Sequence, residues 1–254
     1  MSLSRRKFIL WLSATAAATA GPGCATKPRT KTAGRVVVIG GGWGGTTAAK
    51  YIRMWSPDIE VTLVERKSEF ISCPLSNRVL AGVWQLKDLT RDYGRLQAVH
   101  GVNLVREEAV AVDPVAQEVR IARGTTLKYD RLIVSPGVDL LYDGIPGLRQ
   151  PAARERVLHA WEAGPQTVAL RKQLEAMRDG GIYAITVPKS PYRCPPGPYE
   201  RACQVAHYFK TRKPRSKVLI LDANEDVQSK KGLFVKAWND RYPGIVEYRP
   251  NSTL

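Results

Sequence analysis

The sequence predicts an α/β protein: two parallel-sheet units in series, the first carrying a small antiparallel insertion. Three observations predict it. Residues 35–39 (RVVVI) form an apolar, β-branched run that opens directly into the turn Gly40-Gly41-Gly42-Trp43-Gly44-Gly45. Short alternating segments lie around Pro114 and Gly124. From Ile182 onward a second alternation of apolar runs and helical patterns begins.

The first unit is the most specific stretch. Residues 35–39 read as a buried parallel strand. The turn after them satisfies G-x-G-x-x-G. Residues 46–55 read as a helix stopped by Ser56-Pro57, and residues 60–64 as a second strand ending on Glu65. Gly40 permits the tight turn, Gly42 lets the backbone approach a pyrophosphate, and Gly45 lets helix and strand pack closely. The helix N-terminus offers free N–H groups and partial positive charge to phosphates. Glu65, at the end of the second strand, accepts hydrogen bonds from a ribose. An acid there, rather than a base, argues against a 2′-phosphate. These residues predict a bound dinucleotide and leave FAD and NAD both open.

The chain has 254 residues and a formal charge of +16. Part of that charge leads the fold: Arg5, Arg6, Lys7, Lys27, Arg29, Lys31 and Arg35. The rest is dispersed, and no basic helix carries interleaved aromatics, so no nucleic acid is expected as partner. The basic balance reads as a solvated surface or as a face that steers an acidic protein. Residues 1–20 (MSLSRRKFILWLSATAAATA) have the charged n-region, apolar stretch and small residues of a signal peptide. The apolar stretch is too short to span a bilayer, so no transmembrane segment is expected in the mature chain. Ser4-Arg5-Arg6-Lys7-Phe8-Ile9 resembles the twin-arginine consensus, which predicts a periplasmic protein exported after folding. Cys24 offers a lipoprotein site as the alternative, and residues 21–30 read as cleavage region and linker.

The first sheet unit is expected over residues 31–150 and the second over 151–254. Residues 68–77 (SEFISCPLSN) leave the carboxyl end of the second strand, which places Cys73 beside the nucleotide crevice. Residues 109–130 read as the insertion, and residues 130–134 as another buried strand closed by Ser135-Pro136-Gly137. That Tyr-Asp-x-Leu-Ile-Val-x-x-Gly pattern recurs in two-dinucleotide flavoproteins and shifts the balance to FAD. A helix follows at 165–179 and a strand at 182–187. A second G-x-G-x-x-G for NAD(P)H belongs after that strand. Instead the chain reads Lys189-Ser190-Pro191-Tyr192-Arg193-Cys194-Pro195-Pro196-Gly197-Pro198. Prolines lack the N–H groups that cradle phosphate, so no NAD(P)H is expected. The rhythm continues with a helix at 199–210, a strand at 217–221, a helix at 231–238 and a strand at 245–248.

Cys24, Cys73, Cys194 and Cys203 form no C-x-x-C, haem or zinc spacing. An exported protein can keep disulfides. Cys194 precedes a helix start beside Arg193, and both features favour a thiolate, which makes it the candidate catalytic residue. Cys203, on the following helix, reads as core. His100, His159 and His207 are scattered and read as packing or surface residues.

GGGWGGTTAAKYIR, ISCPLSNRV, AGPQTVALRKQLEAM and above all YRCPPGPYERACQVA resemble the flavoprotein subunit of flavocytochrome c sulfide dehydrogenase, a relative of sulfide:quinone oxidoreductases. The resemblance covers residues 35–254. It implies a glutathione-reductase-like two-domain flavoprotein: an FAD-binding Rossmann-like domain plus a second, degenerate Rossmann-like domain. It implies FAD joined by a thioether to the cysteine that falls on Cys73. It implies a redox disulfide at the flavin, one half falling on Cys194, at which sulfide is oxidised. It also implies a c-type cytochrome subunit as partner and electron acceptor. The expected cofactor contacts are Gly40, Gly42, Trp43, Gly44, Gly45, Glu65, Arg66, Cys73, Val110 and Gly137, with no metal ligand. A sulfide:quinone oxidoreductase-type enzyme, or a non-catalytic FAD-binding electron carrier, is the alternative. The family is longer, so the chain reads as a fragment or a truncated product without the segment that supplies the second redox cysteine.

Overall fold

The computed structural model describes residues 32–252. The expected signal peptide, its linker and Cys24 lie outside the described residues.

β1 (Gly34–Ile39), α1 (Trp43–Trp55) and β2 (Ile59–Val64) form the opening β-α-β unit. Val36, Val37 and Val38 are buried on β1, as are Val61, Leu63 and Val64 on β2. Both faces of these strands are covered, which is why they read as continuous apolar runs. The helix begins three residues earlier than the sequence suggests. Its ladder starts where the Thr46 amide donates to Gly42 O at 3.0 Å, so Gly44 and Gly45 lie in the first turn. Glycine is a poor helix former, and close packing on β1 overrides that propensity.

β3 (Glu69–Ile71) leaves the end of β2, followed by the short helix α2 (Asn77–Leu80). β4 (Thr90–Asp92) pairs antiparallel with β3. α3 (Gly94–His100) then leads to β5 (Asn103–Val105). The insertion is a three-stranded antiparallel sheet of β6 (Ala109–Asp113), β7 (Glu118–Ile121) and β8 (Thr126–Lys128). The chain returns through β9 (Arg131–Val134). The main sheet has the order β5-β2-β1-β9, with every described pairing parallel. Its two faces are packed by different partners. Val36, Val38 and Leu63 meet Ala49 of α1, Tyr93 and Val102. Val37 and Val64 meet Val119 and Ile121 of the insertion, with Tyr129.

β9 is the one strand whose environment differs from expectation. It reads as buried, yet Val134 is 63% exposed and Leu132 and Ile133 are half-buried. No described strand pairs with its outer edge.

The second unit comprises α4 (Pro151–Arg156), α5 (Pro165–Ala176), β10 (Ile182–Val187), α6 (Gly197–Arg212), β11 (Lys217–Asp222), α7 (Lys231–Arg241) and β12 (Val246–Arg249). Its sheet has the order β10-β11-β12, all parallel. α5 stops at Ala176, short of the expected residue 179, where Met177 turns extended. The core contains Leu170 and Leu174 of α5, Tyr199, Val205 and Phe209 of α6, Val218 and Ile220 of β11, and Trp238 of α7. Leu80 of α2 is buried in the same cluster. A helix from the first half of the chain is therefore embedded in the core of the second.

Candidate functional site

The carboxyl ends of β1 and β2 and the segment after β9 open into a cleft of about 860 Å³. Its floor is the glycine turn. Gly40 has φ +97°, and a Cβ there would lie 2.0 Å from Ser135 O, so only glycine fits. A Cβ on Gly45 would lie 1.8 Å from Gly40 O, the close helix–strand approach expected of the third glycine. A Cβ on Gly42 would meet nothing within 4 Å, so that position faces open space. The N–H groups of Gly42, Trp43 and Gly44 meet no acceptor among the described residues. Free donors at a helix N-terminus, approachable from a cleft, fit a pyrophosphate.

Glu65 stands at the cleft wall. Its Oε2 accepts from the Gly41 amide at 2.7 Å and its Oε1 from the Lys67 amide at 2.8 Å. Each carboxylate oxygen keeps a second lone pair for a ribose hydroxyl. Tyr93 is buried beneath the turn and donates its hydroxyl to Gly41 O at 3.1 Å. Burial, aided by the Glu65 charge, pushes the Tyr93 hydroxyl up to about 12. Trp43 lies on the cleft rim, edge-to-face with Phe70 at 5.6 Å.

The far wall is built around Trp161. Cys73 donates its thiol to Trp161 O at 3.1 Å, and Arg193 Nη1 donates to the same oxygen at 3.4 Å. A Cβ placed on Gly197 would touch both the Trp161 ring and Cys194 Sγ, each at about 3.1 Å, so that sulfur and the indole edge crowd the start of α6 together. The indole face also covers Arg201, whose guanidinium lies 3.8 Å from the ring centroid. The Cys73 loop and the proline-rich loop thus meet at one tryptophan. Cys73, Cys194 and Cys203 are free thiols.

Of the residues singled out in the sequence, Gly40, Gly42, Trp43, Gly44, Glu65, Arg66, Cys73 and Gly137 line the cleft. Gly45 lies beneath it. Val110 is exposed and does not line it: it is the unpaired residue at a register shift in β6 between Ala109 and Ala111, and Ala109 takes the cleft side. Cys194 is exposed just behind Arg193, which does line the cleft. Cys203 packs against the second core, and burial pushes its thiol up. His159 is tied into the Trp161 segment. Its Nδ1 accepts from the Trp161 amide at 3.0 Å and its Nε2 meets Tyr142 Oη at 2.8 Å. Burial and then the Arg201 charge lower its pKa. Among the described residues no cluster of His, Cys, Asp or Glu is placed to hold a metal.

Sequence reasoning missed Tyr93, Trp161 and Arg201. Only Arg201 carried a signal: it falls within the apolar stripe of α6, between Tyr199, Ala202 and Val205, where a charge is out of place.

The corresponding crevice of the second unit is closed. Asp222 ends β11 as Glu65 follows β2, but it is fully buried. Its Oδ2 accepts from Tyr199 at 2.6 Å and Tyr248 at 3.1 Å, and its Oδ1 from the Asn224 amide and side chain. Internal hydroxyls occupy the positions a ribose would need.

Residues 34–175 match the family described as pyridine nucleotide-disulphide oxidoreductase. Residues 167–254 match the central region of the sulfide dehydrogenase [flavocytochrome c] flavoprotein chain. A flavoprotein chain of that name from Chlorobaculum thiosulfatiphilum is 60% identical over 45 residues, 18% of this chain and 94% of that sequence. The sulfide-quinone reductase of Aquifex aeolicus is 30% identical over 107 residues, 42% of this chain and 25% of that one. The crystal structure of a sulfide:quinone oxidoreductase from Aquifex aeolicus superposes with a TM-score of 0.67 at 21% identity, over 85% of this chain and 51% of that one. The chain thus spans between a quarter and about half of these two longer relatives. The glutathione-reductase-like α/β fold, its glycine turn and these matches together place the chain in the pyridine nucleotide-disulphide oxidoreductase family, with the central region of a flavocytochrome c sulfide dehydrogenase flavoprotein in its second half.

Proposed function

We propose that this chain is the FAD-bearing portion of an exported sulfide dehydrogenase that passes electrons to a c-type cytochrome subunit in the periplasm. The observation that carries the proposal is the meeting of Cys73 and the Cys194 loop at Trp161, on the wall of a dinucleotide-shaped cleft. The closed second crevice supports it, since a sulfide-fed enzyme has no use for NAD(P)H.

In this proposal the N–H groups at the start of α1 hold the pyrophosphate and Glu65 holds a ribose. Cys73 carries the flavin through a thioether. FAD, when bound, supplies an acceptor that takes two electrons together and returns them singly. Cys194 contributes one sulfur of the disulfide that hydrosulfide opens. The S–S bond breaks, a new one forms to the incoming sulfur, and the other cysteine leaves as a thiol. Trp161 holds the two cysteine segments in register, which substitutes for entropy otherwise lost on reaction. The twin-arginine leader carries the folded, cofactor-loaded protein across the membrane.

Acid precipitation tests the cofactor arm. Yellow flavin stays with the protein pellet and moves to the supernatant in Cys73→Ala. Release from the unaltered protein would remove the thioether. Sulfide-driven reduction of cytochrome c tests the reaction, and it should vanish in Cys194→Ser. A second reading is a sulfide:quinone oxidoreductase, favoured by the fold match over 85% of the chain. It requires sulfide-driven reduction of a quinone in preference to the cytochrome. Flavin binding without any sulfide response would leave an electron carrier only.

A further inference from the structure

Arg201 is 4% exposed, near the start of α6, and no described carboxylate touches it. Its Nε donates to Asn77 Oδ1 at 3.1 Å, its Nη1 donates to His159 O, and its Nη2 donates to Ala160 O at 3.4 Å. Trp161 covers its face. Glu200 is one amide away: its Oε2 accepts from Asn77 Nδ2 at 3.0 Å. Burial lowers the guanidinium's pKa, but arginine starts so high that the charge persists. A buried cation whose direct partners are carbonyl dipoles, an amide and a π face, with Glu200 one amide beyond, is costly, and an arriving anion relieves that cost.

Three segments converge on this guanidinium, and each contains a non-glycine residue in left-handed conformation: Leu75 at φ 71°, Ala160 at φ 51° and Cys194 at φ 58°. Such residues are strained and persist only where their surroundings hold them. Arg201 contacts two of the segments directly, through Asn77 and through the carbonyls of His159 and Ala160. It reaches the third through Trp161, whose indole and the Cys194 sulfur both border the start of α6 at Gly197.

We propose that Arg201 is the positioning and selectivity residue of the two-cysteine site: its fork locks the strained cysteine segments together, and its permanent charge selects anionic reactants at Cys194. This rests on Cys194 being the reactive sulfur. For sulfide chemistry it means that hydrosulfide, rather than neutral hydrogen sulfide, is the species drawn in.

The test needs no turnover, so its failure is separable from failure of the sulfide reading. Reduced, purified protein is treated with two methanethiosulfonates of similar size, one bearing a sulfonate and one a trimethylammonium group. Modification of Cys194 is timed by mass spectrometry. The ratio of anionic to cationic rates should fall about fivefold in Arg201→Met, the scale expected for one charge several ångströms away in a partly aqueous setting. Arg201→Lys should change both rates because the fork is lost, and its ratio should fall between those of the unaltered protein and Arg201→Met, since a buried lysine gives up its proton more readily than arginine. A purely structural role would alter both rates and leave the ratio unmoved in Arg201→Met, and that result overturns the proposal. Arg193 is exposed, so Arg193→Gln provides a variant that folds whatever Arg201→Met does. Anion preference should survive in it, and its complete loss there would assign the selectivity to Arg193 instead.

Discussion

The two β-α junctions of this chain repeat one plan with opposite results. After β1, glycines bring the helix N-terminus to an open cleft, and the acid beyond β2 stands on the cleft wall. After β10, prolines separate strand from helix, and the acid that ends β11 is sealed beneath Tyr199 and Tyr248. The first junction presents unused donors to a ligand. The second spends its polar groups on itself. The difference shows that a β-α-β rhythm alone does not make a nucleotide site: the turn must leave N–H groups free, and the carboxylate must remain unsatisfied by the protein.

The largest test of this contrast is Gly45→Ala. Its methyl would lie 1.8 Å from Gly40 O, so α1 must move off β1. In a Cys73→Ala background, flavin retention should be lost on gel filtration, with stability lowered by more than about 3 kcal/mol in denaturant titration. A flavin-to-protein ratio equal to that of Cys73→Ala alone would mean that close packing is not what holds the first site open.

Tyr199→Phe tests the sealed junction. It strips a donor from buried Asp222 and an acceptor from the Gln228 amide, and should cost about 2 kcal/mol. It also bears on alkaline behaviour. Burial and the bond to Asp222 hold the Tyr199 hydroxyl above the usual phenol range, and burial with the Asp222 charge does the same for Tyr248. The folded chain therefore keeps protons that the unfolded chain releases above about pH 10. The stability these tyrosines contribute is complete below that pH and declines above it, by about 1.4 kcal/mol per pH unit for each. Urea midpoints measured between pH 8 and 11 should show this slope, reduced in Tyr199→Phe.

Tyr93→Phe sharpens the open junction. Losing the hydroxyl bond to Gly41 O loosens the glycine turn without altering its shape. Flavin dissociation, measured in a Cys73→Ala background, should rise about fivefold, the equivalent of roughly 1 kcal/mol. The smallest effect is expected from Lys67→Ala. Its ion pair with Glu162 spans the cleft rim at 3.1 Å, but both side chains are largely in water. Stability should change by less than about 1 kcal/mol.

The glycine turn, its flanking strands and the antiparallel insertion were legible because each is a local pattern. Helix ends were less legible: α1 starts at Trp43 and α5 stops at Ala176, while α6 and α7 run to Arg212 and Arg241, beyond the expected 210 and 238, because packing as well as propensity sets where a helix ends. β9 carries the apolar composition of a central strand but lies at an edge, and no feature within residues 131–134 records its neighbours. Val110 and Ala109 are both apolar, so only the irregular pairing of β6 with β7 at Val110 decides which one reaches the cleft. Trp161 gave no signal at all, because its role comes from a backbone carbonyl shared by Cys73 and Arg193.

By itself, then, the sequence determined where the backbone must turn through left-handed space at Gly40, where phosphate-binding N–H groups are missing around residues 191–198, and that the runs of β1 and β2 are buried. These properties belong to single residues and near neighbours, so spacing is enough to express them. Tertiary structure alone decided that Cys73 meets the Cys194 loop, that Asp222 turns inward and that Arg201 is buried among strained loops. The burial of Arg201 depends on α2 docking into the second core through Leu80 and Asn77, which joins residues 124 positions apart in the Asn77–Arg201 bond, and that of Asp222 on Tyr199 and Tyr248 closing over β11. Contacts over that separation arise from packing, and no local pattern along the chain encodes them.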